Sequence, residues 1–160
     1  MQTLLEPAAR VAGLLRAQQA TLAVAESSAG GLIAAALLSV PGASAWFLGG
    51  AVIYTAASRR ALLGIDDAAM AGIRSSSEPY ATLLAATLRT RLGATWAVAE
   101  TGAAGPTGNR YGDQAGHVCV AVAGPAPSVT TLETALPDRP ANMRAFAAHA
   151  LAQLERALRA

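Results

Sequence analysis

The segment Ala25-Glu26-Ser27-Ser28-Ala29-Gly30-Gly31 separates two apolar runs of different character. Residues 21–24 before it predict a short buried strand, and residues 32–38 after it predict a helix. A strand that turns through serines and glycines into a helix presents hydroxyls and backbone N–H groups at the positive end of the helix dipole. This arrangement suits binding of an anion or presentation of a nucleophile, although Ser27 or Ser28 would also serve as a simple helix cap.

The composition is typical of one folded domain, here over residues 1–160, with a substantial core. Of the 160 residues, 53% are hydrophobic and 14% are charged. The 12 basic residues are all arginines, and only Arg59-Arg60 and Arg89/Arg91 lie close together in the sequence. Because a nucleic-acid-binding surface needs clustered positive charge, we do not expect a nucleic-acid partner.

The subcellular location and the absence of a cofactor are predicted from features that the sequence lacks. No charged and apolar leader opens the chain, and every apolar run is interrupted before it reaches membrane-spanning length. We therefore expect a cytoplasmic protein that does not enter a membrane. Cys119, the single cysteine, lies in an apolar strand pattern and is predicted to be buried. Neither His117 nor His149 has a second ligand at metal-binding spacing, so no metal and no cofactor are predicted.

Predicted strands and helices alternate along the rest of the chain. The first helix has one apolar face, formed by Leu4, Ala8, Val11 and Leu15. Further strands are predicted at residues 50–54, 95–99, 116–122 and 128–135. Further helices are predicted up to Leu63, at Asp66-Asp67, from the stretch Ser75-Ser76-Ser77-Glu78-Pro79 onward and over the last part of the chain. This alternation indicates an α/β fold whose sheet is covered on both faces. A glycine-rich stretch over residues 101–114 is predicted to be a functional loop.

Several motifs, in order along nearly the whole chain, resemble the CinA C-terminal domain family, which includes bacterial nicotinamide-mononucleotide deamidases. The motifs are Glu26-Ser27-Ser28-Ala29-Gly30-Gly31, Pro41-Gly42-Ala43-Ser44 with Tyr54-Thr55, Leu62-Leu63-Gly64-Ile65, Ser76-Ser77-Glu78, Thr101-Gly102-Ala103-Ala104-Gly105-Pro106, Gly116-His117-Val118 and Pro137-Asp138-Arg139. The resemblance implies a three-layer α/β/α sandwich with a mixed sheet.

The same resemblance implies a reaction and a set of site residues. The reaction is hydrolysis of the carboxamide of nicotinamide mononucleotide to nicotinate mononucleotide and ammonia, a step of pyridine nucleotide metabolism. The catalytic residues it implies are Ser27 as nucleophile, Tyr54 and Arg59. The substrate-binding residues it implies are Ser28, Gly30, Gly31, Thr101, Gly102, Gly105, Arg139 and Arg144. The apolar composition also makes a homo-oligomer the expected assembly.

One departure from the family pattern leaves two functions open. The family has a lysine five residues after the tyrosine, and this chain has Arg59 there. Because a guanidinium stays protonated in proteins, Arg59 cannot accept the proton of Ser27 as a neutral lysine would. The chain is then either an active amidohydrolase whose serine is activated by another group or by water, or a catalytically silent relative that binds a nucleotide or another small ligand. A role on nucleic acid, implied only by the historical family name, has no support in the scattered arginines.

Overall fold

Five strands form one mixed sheet at the centre of the computed structural model, which describes residues 1–160. The strands are β1 (Leu22–Glu26), β2 (Phe47–Val52), β3 (Trp96–Ala103), β4 (His117–Ala123) and β5 (Ser128–Glu133). Their order is β2-β1-β3-β4-β5, with β1 parallel to both neighbours and the β3-β4-β5 half antiparallel. The mixed sheet implied by the family resemblance is therefore confirmed.

Helices cover both faces of the sheet, which confirms the three-layer α/β/α architecture. The helices are α1 (Gln2–Ala17), α2 (Leu32–Leu38), α3 (Ala56–Leu63), α4 (Glu78–Leu92) and α5 (Arg139–Arg159). The larger core joins α1, α2 and α5 to one face, and a smaller core joins α3 and α4 to the other. None of the five helices combines the length and the hydrophobicity that crossing a lipid bilayer requires.

The sequence of each strand matches its place in the sheet. The central strands β1, β3 and β4 are buried almost throughout, as their continuous apolar runs predict. The edge strands β2 and β5 show alternating exposure, which is typical of strands with one solvated face. Cys119 on β4 is buried, as predicted.

Short polar side chains set the starts of three helices. Ser77 accepts a hydrogen bond from the N–H of Tyr80 at 3.3 Å, which confirms the predicted start of α4. Thr55 and Ser58 cap α3 reciprocally. Asp138 accepts a hydrogen bond from the N–H of Ala141 at 2.9 Å and so begins α5. Because the cap of α3 follows Tyr54 directly, it fixes this tyrosine at the edge of the sheet.

Two of the predicted boundaries that move in the structure bear on the site. The strand predicted at residues 50–54 is β2, and it ends at Val52, so Tyr54 lies on the connection to α3. Strand β3 continues to Ala103, so Thr101 and Gly102 belong to the strand and not to the loop. The reason is pairing with β4, where Cys119 and Val118 lie opposite these two residues.

The short helix predicted at Asp66-Asp67 is wrong, since these residues lie in an irregular connection followed by turns. The side chain of Asp66 accepts a hydrogen bond from the N–H of Ala69 at 2.8 Å, which is a local turn interaction. The carboxylate of Asp67 is engaged by the guanidinium groups of Arg59 and Arg60. Both acids therefore hold turns instead of opening a helix.

Gly102 is required for close packing of β3, β4 and the serine turn. A Cβ added at Gly102 would overlap the carbonyl oxygen of His117 and lie 2.9 Å from Cα of Val118 and 3.1 Å from Oγ of Ser28. We expect Gly102→Ala to lower the free energy of unfolding by about 1–3 kcal/mol, measured by urea denaturation. Gly13→Ala in α1 is the matched control, because its Cβ meets nothing within 4 Å. It should raise stability by about 1 kcal/mol. Equal effects of the two substitutions would contradict the packing argument.

Candidate active site

Two cavities adjoin at the carboxyl ends of β1 and β3, where the serine turn of residues 27–31 leaves β1. The larger cavity has a volume of about 550 Å³ and the smaller about 230 Å³. Tyr54, Gly102 and Asn109 line both, so the two cavities are direct neighbours and are described together as one site. Parallel strands that end beside each other commonly form a ligand site of this kind.

The lining of this site is positively charged. Arg59 and Arg110 line the larger cavity and Arg139 lines the smaller one, whereas no aspartate or glutamate lines either. Arg110 and Arg139 form no salt bridge. Because guanidinium groups without an acidic partner attract anions, the arrangement suits a negatively charged ligand.

The buried carboxylate of Glu26 occupies the N-terminus of α2. It accepts hydrogen bonds from the N–H groups of Gly31 and Ile33, both at 3.0 Å, and of Ala34 at 2.8 Å. Burial raises the pKa of Glu26, and the three backbone donors oppose that rise. Through these contacts Glu26 fixes the turn. The positive end of the helix is therefore filled by the protein's own side chain.

A second buried carboxylate, Glu100 at the end of β3, holds the serine turn from behind. The hydroxyl of Ser28 donates to Oε1 of Glu100. The N–H groups of Ser27 and Ala29 donate to Oε2 at 3.0 and 2.8 Å. Burial raises the pKa of Glu100, although the hydrogen bonds from the turn oppose the rise.

The sequence analysis missed Glu100. A signal was present, because Glu100 ends an otherwise apolar strand, just as Glu26 ends β1. Ala25 and Ala99 lie opposite each other in the parallel pair, so the two glutamates follow at the same level of the sheet. A carboxylate that strand register places in the interior needs hydrogen-bond donors, and the turn after β1 provides them.

The two serines of the turn have different surroundings. Ser27 is half-buried and lines the larger cavity, and its hydroxyl has no hydrogen-bond partner within the chain. Ser28 is buried and lines the smaller cavity, with its hydroxyl on Glu100. The structure therefore brings both hydroxyls to the site but pairs only one of them with a base.

Arg139 links Tyr54 to the glycine-rich loop. Its Nη2 donates to the Tyr54 hydroxyl at 2.9 Å, and its Nη1 donates to the carbonyl oxygen of Gly105 at 2.8 Å. Gly105, Thr107 and Gly108 line the smaller cavity, and no group of the protein accepts a hydrogen bond from their backbone N–H groups. The smaller cavity therefore combines a guanidinium, a phenol and free backbone donors.

Arg59, which stands where the family has lysine, is fixed by the protein. Its Nε donates to the carbonyl oxygen of Ile65 at 3.0 Å, and its Nη2 contacts the carboxylate of Asp67. Arg59 is buried and lines the larger cavity together with Ser27. It can offer charge and hydrogen-bond donors to a ligand, but it offers no lone pair to accept a proton.

The loop after β3 contributes lining residues that the sequence analysis did not single out, namely Asn109, Arg110 and Tyr111. The loop is anchored by Asp113, whose carboxylate binds Arg74 at 2.6 and 3.0 Å and the amide of Asn109 at 2.8 Å. The Arg74 hydrogen bond lowers the pKa of Asp113. The contact between Arg74 and Asp113 spans 39 residues, so no local motif signals it.

Behind the larger cavity, His117 connects β4 and β5 to the loop before α4. One ring nitrogen contacts the carboxylate of Glu133, which lies opposite on β5, and the other lies 2.9 Å from the carbonyl oxygen of Ser76. Because both nitrogens face acceptors, the imidazolium form satisfies both. Burial acts to lower the pKa of His117, but these hydrogen bonds and the nearby carboxylates of Glu133 and Asp113 outweigh it, so the pKa is raised.

Comparison with known proteins agrees with this architecture. The family model for the CinA C-terminal domain matches residues 5–158 of this chain. The chain belongs to the CinA C-terminal domain family. A CinA-like protein of Frankia casuarinae is 44% identical over 130 residues, which are 81% of this chain and 30% of that protein. A CinA-like protein of Salinibacter ruber is 38% identical over 144 residues, or 90% of this chain and 35% of the relative. The chain thus spans about a third of the length of these curated relatives.

Solved structures of the CinA superfamily share the fold. A competence-damaged protein (CinA) superfamily protein from Klebsiella pneumoniae superposes with a TM-score of 0.90 at 29% identity, covering 98% of each chain. The competence/damage inducible protein CihA from Agrobacterium tumefaciens superposes with a TM-score of 0.87 at 30% identity, covering 98% of this chain and 96% of the other.

The structure places most site residues implied by the CinA resemblance at the cavities, but not all of them. Ser27, Ser28, Tyr54, Arg59, Thr101, Gly102, Gly105 and Arg139 line one or both. Gly30, Gly31 and Arg144 line neither. The N–H groups of Gly30 and Gly31 already donate to the carbonyl of Ser27 and to Glu26. Arg144 is an exposed residue of α5.

The raised pKa of His117 predicts a pH-dependent contribution to stability. Folded protein holds the His117 proton more tightly than unfolded protein, whose histidine has a pKa near 6.5. The stability that wild type has over His117→Gln should be complete below about pH 6.5 and should be lost as the pH rises through the folded-state pKa, with a slope of at most about 1.4 kcal/mol per pH unit. Urea denaturation of both proteins from pH 5 to 9 measures this difference in the free energy of unfolding.

His149 is the matched control for this experiment. Burial and then Arg156 lower the pKa of His149, so its contribution should have the opposite sign. The stability that wild type has over His149→Gln should fall as the pH drops below about 6.5. The same pH trend for both variants would contradict the raised pKa of His117.

Proposed function

We propose that this chain hydrolyses the carboxamide of nicotinamide mononucleotide to nicotinate mononucleotide and ammonia. The observation that carries the proposal is the pair of serine hydroxyls opening onto a site with three arginines and no acid in its lining. Amide hydrolysis needs a nucleophile, a base and donors for the tetrahedral oxyanion. An anionic nucleotide needs positive charge. The two neighbouring cavities offer both kinds of group.

The sizes of the cavities also support a mononucleotide. The larger cavity, at about 550 Å³, lies within the range of small-molecule sites, and the smaller, at about 230 Å³, lies just below it. Tyr54, Tyr80 and Tyr111 line the larger cavity and present aromatic surface for a planar ring. Arg59 and Arg110 provide charge in the same cavity for a phosphate.

Family membership supports the proposal at a coarser level, since the resemblance implies Ser27 as the nucleophile of a serine amidohydrolase. The hydroxyl of Ser27 is free to approach a ligand in the larger cavity. Its activation cannot come from Arg59, which is protonated and bound to Ile65 and Asp67. The reaction therefore needs another group, or water, to accept the serine proton.

A second candidate is a catalytically silent protein that binds a nucleotide or another small ligand. The observation in its favour is the replacement of the expected lysine by Arg59.

In either case the ligand is a small metabolite, so nucleic acid and membranes are not proposed as partners. A cytoplasmic location and a homo-oligomeric assembly stay predictions of the composition.

Ammonia release from nicotinamide mononucleotide decides between the active amidohydrolase and the silent relative. We expect the double variant Ser27→Ala/Ser28→Ala to lose ammonia release by on the order of 10³-fold or more, because both candidate nucleophiles are removed. Ser39→Ala, whose hydroxyl only bonds the carbonyl of Ala36 at 2.6 Å at the end of α2, is the matched control. Nucleotide binding by calorimetry without ammonia release from wild type would identify the silent relative. Turnover by the double variant at the wild-type rate would disprove a serine mechanism.

Arg139 and Arg144 provide a matched pair for nucleotide binding on one helix. Arg139→Gln removes a charged donor from the smaller cavity, and we expect the Kd for nicotinamide mononucleotide to rise at least about tenfold, as for loss of a charge-assisted hydrogen bond. Arg144→Gln removes an exposed charge outside both cavities, so its Kd should change by less than about twofold. Isothermal titration calorimetry measures both. A larger effect at Arg144 would mean that the ligand lies elsewhere.

A further inference from the structure

We propose that Ser28 and Glu100 form a nucleophile–base pair, in which Ser28 attacks the substrate carbonyl and Glu100 takes the place of the lysine that this chain lacks. This inference rests on the proposed amide hydrolysis and names the residues of its first step.

The direct contact between the two side chains is the first support. The Ser28 hydroxyl donates to Oε1 of Glu100, and no other group accepts a hydrogen bond from it. Nucleophile and base in hydrogen-bond contact are the recurring feature of serine catalysis on unrelated folds. The partner Oε2 is held by the N–H groups of Ser27 and Ala29, so Oε1 stays turned toward Ser28.

The environment of Glu100 suits a proton acceptor. Glu100 is fully buried, and burial raises its pKa, so its carboxylate has a greater proton affinity than an exposed one. Glu26 provides an internal contrast. Its two oxygens receive three backbone N–H groups and no hydroxyl, so Glu26 holds the turn without contacting a nucleophile.

Ser27 lacks every element of this activation. Its hydroxyl contacts no acceptor, and the charged residues that share its cavity, Arg59 and Arg110, are guanidinium groups that cannot accept a proton. The family position implies Ser27 as nucleophile, whereas hydrogen bonding selects Ser28. The two serines are adjacent, so a shift of the nucleophile by one residue leaves the turn, the helix and the cavities unchanged.

The smaller cavity provides what an attack by Ser28 needs. Arg139, Tyr54, Gly105, Thr107 and Gly108 line it, and the guanidinium, the phenol and the three backbone N–H groups without a protein acceptor are the candidate donors for a developing oxyanion. We therefore place the carboxamide in the smaller cavity and the rest of the nucleotide in the larger one. In this orientation Arg59 and Arg110 face the phosphate. Arg139 then serves the carbonyl oxygen, instead of the phosphate that the resemblance implies.

The proposed steps balance with water as the only other reactant. Glu100 accepts the Ser28 proton as Oγ bonds to the carbonyl carbon, and the carbonyl electron pair moves to the oxygen. The C–N bond breaks as the electron pair returns, and protonated Glu100 gives its proton to the leaving nitrogen to form ammonia. Water then attacks the acyl-serine ester with Glu100 as base. Ser28 leaves with the proton that Glu100 returns, which yields the free acid.

A fluorophosphonate probe tests the pair without the natural substrate. An activated serine displaces fluoride from phosphorus and remains phosphonylated. Trypsin cuts after Arg16 and Arg59, so Ser27, Ser28 and the control Ser39 fall in the same peptide. Fragmentation of that peptide by mass spectrometry locates the label. We expect it on Ser28 in the wild-type protein, and we expect Ser39→Ala to label at the wild-type rate.

Variants of the pair test the role of Glu100. Ser28→Ala should lose the Ser28 label, and Glu100→Gln should slow labelling by on the order of 10²–10³-fold, the contribution of a general base. Glu100→Gln also replaces the carboxylate that accepts the N–H groups of Ser27 and Ala29 by an amide, which changes the contacts that hold the turn. Glu100→Asp is therefore the second variant. Its carboxylate still accepts hydrogen bonds but is withdrawn by one methylene, so labelling should slow at least about tenfold. Circular dichroism confirms that each variant is folded.

The labelling and ammonia-release results together distinguish a failure of the Ser28–Glu100 pair from a failure of the proposed substrate. Label on Ser28 together with no ammonia release from nicotinamide mononucleotide would uphold the pair and reject that substrate. Label on Ser27 overturns the inference, and so does the absence of label on both serines of the folded wild-type protein. Wild-type labelling rates in both folded Glu100 variants would show that the contact is structural only, which also overturns it.

Discussion

The burial of two carboxylates at the ends of neighbouring strands is the constraint on which the site depends. Glu26 and Glu100 lie in the interior, where an ionised carboxylate is tolerated only when donors surround it. The turn of residues 27–31 and the first turn of α2 provide those donors, three to each glutamate. The turn can adopt few other shapes, because any other would leave a buried charge without partners.

This constraint also decides how charge is distributed around the site. The acids lie behind the serine turn, within the fold, and the arginines lie in front of it, along the cavities. A helix N-terminus is an anion-binding site in many proteins, but here Glu26 already occupies it. Recognition of an anionic ligand is therefore left to guanidinium groups and to the free backbone donors of the loop after β3.

The comparison with CinA superfamily structures shows a shared architecture built from largely different side chains. A TM-score of 0.90 at 29% identity means that the sheet and its helices superpose while most side chains differ. Such a fold can keep its cavities and change the base, provided that another acceptor reaches the nucleophile. Arg59 bonded to Ile65 and Asp67 cannot be that acceptor, whereas Glu100 already contacts a serine.

The sequence by itself determined most of the elements, because periodicity, caps and turn residues act over a few neighbours, and the family motifs predicted part of the cavity lining. Residues 21–24 predicted β1, Ser77 predicted the start of α4, and the family motifs predicted Tyr54 and Arg139 at the site. Only the tertiary structure decided which side chains meet. Ser28 and Glu100 are 72 residues apart, and strand order and register alone bring them into contact. The same reason explains why β3 extends through Gly102 and why His117 meets Glu133, since pairing with a neighbouring strand leaves no mark on local sequence.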